Sequence, residues 1–282
     1  MNIQSKFSIV LVGLGLAAVP AFGQTYDQQQ TGQIYDLLSA DKYNDHFLTT
    51  GTYQDSVANA AAGDSGATST NLSPTGVMGN SAIATSTTNY VISTAQTEMT
   101  GDISLFNSSA TPKSQISLNL MLHGSFAQST SGAFLYSSAG ILVNVNQDNN
   151  LIFQALLTVF GNGTGFQNGI DSLGPLSSYE TPNAQNGFTF NAQFQTNAFT
   201  VNSDPLTVQL QLATEATARQ GWTSADFSDT FGLAQNGPAV NLQSGWGASS
   251  SNFGFHTNAV PEPTAMTALE LGLLLLSARR KR

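Results

Sequence analysis

The sequence predicts an all-β protein built as an antiparallel β-sandwich, with the jelly roll as one form of it. Three observations carry that reading. Several segments alternate apolar and polar residues with a period of two, so each has one buried and one solvated face. The links between them are rich in Gly, Asn, Ser and Pro, the residues of tight turns. No long segment shows the 3.6-residue periodicity of an amphipathic helix. Composition agrees: 40% of the 282 residues are hydrophobic but only 9% are charged, so Ser, Thr, Asn, Gln and 26 Gly must build the surface. Such residues favour turns and extended segments over helices.

The elements follow in chain order. Residues 24–88 open with a Gln-rich stretch, give a weak helical signal over 33–47 and an edge strand near 46–53, and become Ala/Gly/Ser/Thr-rich over 58–88. They predict a loosely ordered, low-complexity segment. Period-two patterning begins at residue 89 and defines a sandwich domain over 89–259. Ile116, Leu118, Leu120 and Leu122 alternate with polar residues and Met121, Phe188, Phe190, Ala192 and Phe194 with Thr189, Asn191 and Gln193, and Leu206, Val208, Leu210 and Leu212 with Thr207, Gln209 and Gln211. Residues 141–145 and 151–160 flank a polar turn at 146–150, which is a hairpin signal. The second of these is apolar on both faces, which predicts a central strand. Residues 161–169 read as a Gly/Asn-rich loop and 202–205 as a tight turn. Further strands are expected at 90–98, 133–136, 226–233 and 252–256, about eight to ten in all.

The charge is segregated. Five of the eight basic residues lie at the two ends, and residues 24–260 keep only Lys42, Lys113 and Arg219 against fifteen acids. So acidic a body repels phosphate backbones, which argues against a nucleic-acid partner. There is no Cys, hence no disulfide, thiolate metal site or thiol nucleophile.

Both ends read as addresses. Lys6 precedes an apolar run over 7–18. Pro20 breaks the run, and Ala21-Phe22-Gly23 places small residues two apart. This is the pattern of a signal peptide over 1–23, cut by signal peptidase between Gly23 and Gln24. The run is too short for the ~20 residues that span a bilayer. At the other end stand Pro261-Glu262-Pro263, an apolar run over 264–278 with six leucines, and Arg279-Arg280-Lys281-Arg282. Two prolines keep the motif extended and accessible. The four bases form a stop that stays on the cytoplasmic side.

Those three parts over 260–282, in that order, resemble the PEP-CTERM sorting signal. The resemblance implies a membrane-embedded exosortase-type enzyme that cuts at or near the Pro-Glu-Pro motif and releases the body to the cell surface or exopolysaccharide matrix. The body is similar too: a Phe-rich strand, a Thr/Gln-alternating strand, then Gly221 and Ala225-Asp226-Phe227-Ser228-Asp229-Thr230 shortly before the tail. One physical feature departs from a permanent anchor. Glu270 interrupts an apolar run of 15 residues, only ~22 Å long as a helix against a ~30 Å hydrocarbon core. Membrane association through this helix is therefore expected to be transient.

Catalytic signals are weak. Gly63-Asp64-Ser65-Gly66 matches a serine-nucleophile tetrapeptide, but the only upstream His is His46, with no room between for a barrel. His46, His123 and His256 lack ligand spacing. Glu98, Glu180 and Glu215 stand isolated, without the paired carboxylates of glycoside hydrolysis. The sequence therefore predicts no enzyme and no obligate cofactor. Calcium is the cation the side chains suit, at Asp41 and Asp45, Asp148, Asp171, or Asp226 and Asp229. The alternative function is a glycan-binding or adhesive module of the exopolysaccharide matrix, with Trp222 or Trp246 offering a flat ring.

Overall fold

The computed structural model describes residues 25–257, apart from 36–39, 60–62, 109–110, 162–168, 171–176, 184–186 and 235–237. The described residues form eighteen β-strands and no helix. In chain order these are β1 (Thr25–Tyr35), β2 (Ala40–Phe47), β3 (Gly51–Asn59), β4 (Asp64–Leu72), β5 (Met78–Ser86) and β6 (Tyr90–Asn107). Next come β7 (Ser114–Gln128), β8 (Phe134–Gln147), β9 (Asn150–Phe160), β10 (Gly169–Ile170), β11 (Ser177–Asn183) and β12 (Gly187–Gln195). The last six are β13 (Phe199–Val201), β14 (Leu206–Arg219), β15 (Gly221–Leu233), β16 (Val240–Asn241), β17 (Trp246–Ser250) and β18 (Phe255–Thr257). The predicted terminal helices fall outside the described residues.

Two antiparallel sheets result. The first runs β10-β9-β8-β14-β6-β1-β2, with β17 continuing along β6 and carrying β18. The second runs β11-β12-β7-β15-β5-β4-β3, with β13 and β16 added to β7. Strands β4, β5 and β15 of the second pack against β1, β6, β14 and β8 of the first. Between them lie Leu206, Val208, Leu210 and Leu212 of β14 and Ile141, Val143 and Val145 of β8. They meet Leu118, Leu120 and Leu122 of β7 and Phe190, Ala192 and Phe194 of β12. Each fully buried Leu or Phe contributes roughly 1.5–3 kcal/mol. Phe227 meets Phe126 edge-on at 5.1 Å and Phe190 at 6.5 Å. Gly124 leaves the room for it: a Cβ there would sit 2.2 Å from the Phe227 ring.

The described residues between 25 and 88 form strands and turns rather than the loosely ordered segment expected from sequence. They supply β1 to β5, including three of the strands that face the other sheet, β1, β4 and β5. The helical signal over 33–47 is instead the end of β1 and strand β2, paired residue by residue from Gln28 with Phe47 to Tyr35 with Ala40. The physical reason lies in what these strands bury. Many of their inward positions are polar: Gln28, Gln30, Thr68, Thr70 and Asn80 are buried beside Ile34, Leu72, Met78, Ala82 and Ala84. Gln30 Nε2 donates to the Tyr53 carbonyl at 2.8 Å and to Thr70 Oγ1 at 3.0 Å, and Gln28 Nε2 to the Thr49 carbonyl at 2.6 Å. These bonds offset the burial of the two amide nitrogens, while Gln28 Oε1 and Gln30 Oε1 are buried without a donor.

Two further expectations change. Strand β9 is not central; β14 and β6 are, and β9 lies near an edge with Leu151 and Leu156 exposed. Its outer leucines made it look buried on both faces. The strands also outnumber the eight to ten expected, because short edge strands and the polar β1 to β5 carry little hydropathic signal. The hairpin over 146–150 is present: Asp148 and Asn149 take positive φ, 53° and 61°, in the two-residue turn between β8 and β9. The turn over 202–205 is closed by Asn202 Oδ1, which accepts from the Asp204 N–H at 2.7 Å.

Candidate functional site

A chain of hydrogen-bonded polar side chains lies on the outer face of the first sheet. Period-two geometry sends the even-numbered residues of β14 inward and its odd-numbered residues outward. Gln209 and Gln211 thus share a face with Asn144 of β8, Gln154 of β9, Glu98 of β6 and Asp27 of β1. A directed chain of amides crosses four strands. Gln154 Nε2 donates to Asn144 Oδ1 at 2.9 Å, Asn144 Nδ2 to Gln209 Oε1 at 2.7 Å, and Gln209 Nε2 to Glu98 Oε1 at 2.6 Å. The chain ends on a carboxylate, the strongest acceptor available to it.

Beyond Glu98 the polarity reverses. Register places Asp27 opposite Glu98 on one side and Gln211 opposite it on the other. Gln29 Nε2 donates to Asp27 Oδ2 at 3.3 Å. His46 of β2, half exposed, brings Nε2 to 2.7 Å from Asp27 Oδ1, but without hydrogen-bond geometry. Three buried oxygens therefore lack a hydrogen-bond donor: Asp27 Oδ1, Glu98 Oε2 and Gln211 Oε1. Burial pushes the Glu98 carboxyl above its usual range; the Gln209 hydrogen bond opposes this, and the Asp27 charge adds to it.

The opposite end of the same face is aromatic. Arg219 lies over the Tyr90 ring at 5.2 Å, Tyr90 meets Phe134 at 5.9 Å, and Tyr136 meets Phe160 at 6.0 Å. Glu215 is held there by Thr217 Oγ1 at 3.1 Å, and burial raises its carboxyl above the ordinary value.

The residues singled out from sequence fall elsewhere. Pro261, Glu262, Pro263, the Arg279-Arg280-Lys281-Arg282 end and the Gly23–Gln24 junction lie outside the described residues. Asp64 is buried and structural: Oδ1 accepts from the Thr87 N–H at 2.8 Å and the Thr88 N–H at 3.4 Å, and Oδ2 from Asn89 Nδ2 at 2.6 Å. It closes the turn between β5 and β6. Ser65 beside it is exposed on the second sheet, while His46 belongs to the first, so no triad assembles from that tetrapeptide. His123 is in β7 of the second sheet and His256 in β18.

Trp246 is fully buried, so its ring faces no ligand, which corrects its candidacy for a sugar platform. Trp222 is half-buried on the outer face of the second sheet, opposite Thr85 of β5. Of the calcium candidates, Asp148 accepts from Asn202 Nδ2 at 3.3 Å and Asp226 from the Ser228 N–H at 3.1 Å. Asp41 and Asp45 stand in β2, Asp229 in the β15 bulge, and Asp171 outside the described residues. No group of three His, Asp or Glu among the described residues is placed to hold a metal.

The Asp27–Glu98–Gln211 row was not found from sequence. Its members are separated by 71 and 113 positions, and only register brings them together. The one available signal was polar residues at every second position, which β1, β6 and β14 share with many solvated strands. No protein-family model, curated protein or solved structure matches this chain.

Proposed function

We propose that this chain is an exported, non-catalytic β-sandwich protein, sorted through its PEP-CTERM-like tail by an exosortase-type enzyme to the cell surface or extracellular matrix. The observation that carries the reading is the sequence of the two ends: Lys6 with the apolar run over 7–18 and Ala21-Phe22-Gly23 at one, and Pro261-Glu262-Pro263 with the apolar run over 264–278 and four bases at the other. A body held by apolar packing and hydrogen-bonded amides, with no Cys, needs no oxidising step to fold.

The test is mass spectrometry of the protein recovered from surface and matrix fractions. The expected product begins at Gln24 and ends near Pro261. Replacing Pro261, Glu262 and Pro263 with Ala should leave the tail attached and the protein in the membrane fraction. An unchanged C-terminus and location in that variant overturn the sorting claim.

A glycan-binding role in the matrix is the second reading, and Trp222 now supports it alone. Trp222 is half-buried on the outer face, with Thr85 opposite it on β5 and Ser65 beyond that on β4, small hydroxyl residues beside an aromatic ring. Loss of matrix-polysaccharide binding in Trp222→Ala would favour this reading; unchanged binding would remove it.

A further inference from the structure

We propose that Asp27 Oδ1, Glu98 Oε2 and Gln211 Oε1 form a binding site for a hard divalent cation of the calcium class on the outer face of the first sheet. The three residues occupy one row across β1, β6 and β14. Directly opposed side chains on neighbouring strands have Cβ atoms about 4.5–5.5 Å apart, and Asp27 and Gln211, two strands apart, are about 10 Å from each other, so a shared ion must sit over the central Glu98.

Each carboxylate is fixed through its other oxygen. Gln209 holds Glu98 Oε1 at 2.6 Å and Gln29 holds Asp27 Oδ2 at 3.3 Å. The oxygens that remain in the row are acceptors, and the nitrogen facing them is His46 Nε2, 2.7 Å from Asp27 Oδ1. Gln211 is the independent observation: its side chain is 1% exposed, and Oε1 is buried without a donor. A buried amide oxygen left without a donor is destabilising, and two adjacent carboxylates repel one another. A proton on Glu98 serves Gln211 Oε1 but leaves Asp27 Oδ1 with only the contact of His46 Nε2 at 2.7 Å. A cation serves all three and neutralises both charges.

The donor set chooses the cation. Two carboxylate oxygens and one amide oxygen are hard ligands, and calcium accepts irregular geometry and completes its shell with water. Zinc would need His46 drawn in as a nitrogen ligand. His46 otherwise competes, since its Nε2 lies 2.7 Å from the same Asp27 oxygen. Arg219, the basic residue on β14, is eight positions from Gln211, or ~26 Å along the strand. It does not fill the site.

The experiment uses the full chain, washed free of metal with a chelator and followed by thermal unfolding and titration calorimetry with CaCl2. An affinity in the 10⁻⁴–10⁻³ M range of extracellular calcium modules is expected. At about 10 mM CaCl2 the melting temperature should then rise by roughly 4 °C. Glu98→Gln and Gln211→Met should each weaken binding about tenfold or more, with circular dichroism unchanged. His46→Ala should bind calcium at least as tightly as the parent. No calcium-dependent shift or heat in the parent overturns the proposal, and in that case a proton on Glu98 accounts for the row. A calcium response that survives both Glu98→Gln and Gln211→Met overturns it as well, as does a response to ZnCl2 alone that His46→Ala abolishes.

Discussion

The side-chain amide of Asn80 donates to the backbone carbonyl of Leu212 at 2.7 Å, joining β5 of one sheet to β14 of the other. The same nitrogen reaches the Ala95 carbonyl at 3.2 Å, and Thr97 Oγ1 donates to Asn80 Oδ1. One fully buried side chain thus satisfies groups on β6 and β14 from the facing sheet. Replacing Asn80 with Leu removes the donor and leaves two carbonyls and the Thr97 hydroxyl without it. The expected cost is about 2–4 kcal/mol, read as a lower urea midpoint with an unchanged m-value. Asn80→Ala should cost at least as much, since it adds a cavity.

Gly124 and Phe227 define the second prediction. The Phe227 ring covers the Gly124 Cα so closely that a Cβ would fall 2.2 Å from Cδ1. Phe227 cannot yield easily, because Phe126 and Phe190 enclose it. Gly124→Ala should destabilise by about 1–3 kcal/mol through overpacking. The double variant Gly124→Ala/Phe227→Leu should recover part of that loss relative to the sum of the single changes. Denaturant unfolding of the four proteins measures the coupling.

The same residues show which parts of the fold are legible in sequence. Strands β7, β8, β12 and β14 are readable because their inward positions are Leu, Ile, Val and Phe, so hydropathy and pleat share one period. Strands β1, β4 and β5 are not, because polar Gln28, Gln30, Thr70 and Asn80 share their inward faces with Ile34, Leu72, Met78, Ala82 and Ala84 and break the hydropathic period. Their burial depends on partners such as Leu212, 132 positions from Asn80, and no local window contains both. β9 erred in the other direction: Leu151 and Leu156 are apolar but exposed on an outer face. The outer row of Asp27, Glu98 and Gln211 was hidden for the same reason as Asn80. Its meaning lies in register, and register is set by pairing between distant strands.

Asp64 gives a prediction in acid. Burial alone would raise its carboxyl, but hydrogen bonds from the Thr87 N–H, Asn89, the Thr88 N–H and Ser86 outweigh it and hold the carboxyl below the ordinary value of 3.8. A carboxyl depressed in the folded state binds protons more weakly there than in the unfolded chain. Its contribution is therefore fully present above about 3.8 and is lost as pH falls through the lower folded value. Asp64→Ala should lower the melting temperature at neutral pH. The gap from the parent should narrow as pH falls below that window. Melting curves from pH 2 to 7 test this, and a gap independent of pH would show that the charge is not involved.

Glu215 should behave in the opposite sense. It lies on the outer face of β14, and burial raises its carboxyl above the ordinary 4.5, with the Thr217 hydroxyl opposing. A raised carboxyl binds protons more tightly in the folded state. Stability is then complete below about 4.5 and declines as pH rises through the folded value, so at neutral pH the charge is a net cost. Glu215→Gln keeps the shape without the charge. It should melt higher than the parent at pH 7 and equal to it near pH 3.5. Tyr136 provides a second readout. Burial first, with the Ser138 hydrogen bond opposing and the Glu215 charge adding, pushes its phenol to about 12. Removing that charge should move the last tyrosine ionisation to lower pH in an ultraviolet titration of the folded protein. An unchanged tyrosine curve together with an unchanged melting temperature at pH 7 would mean that water screens Glu215 well enough to cancel the cost of its burial.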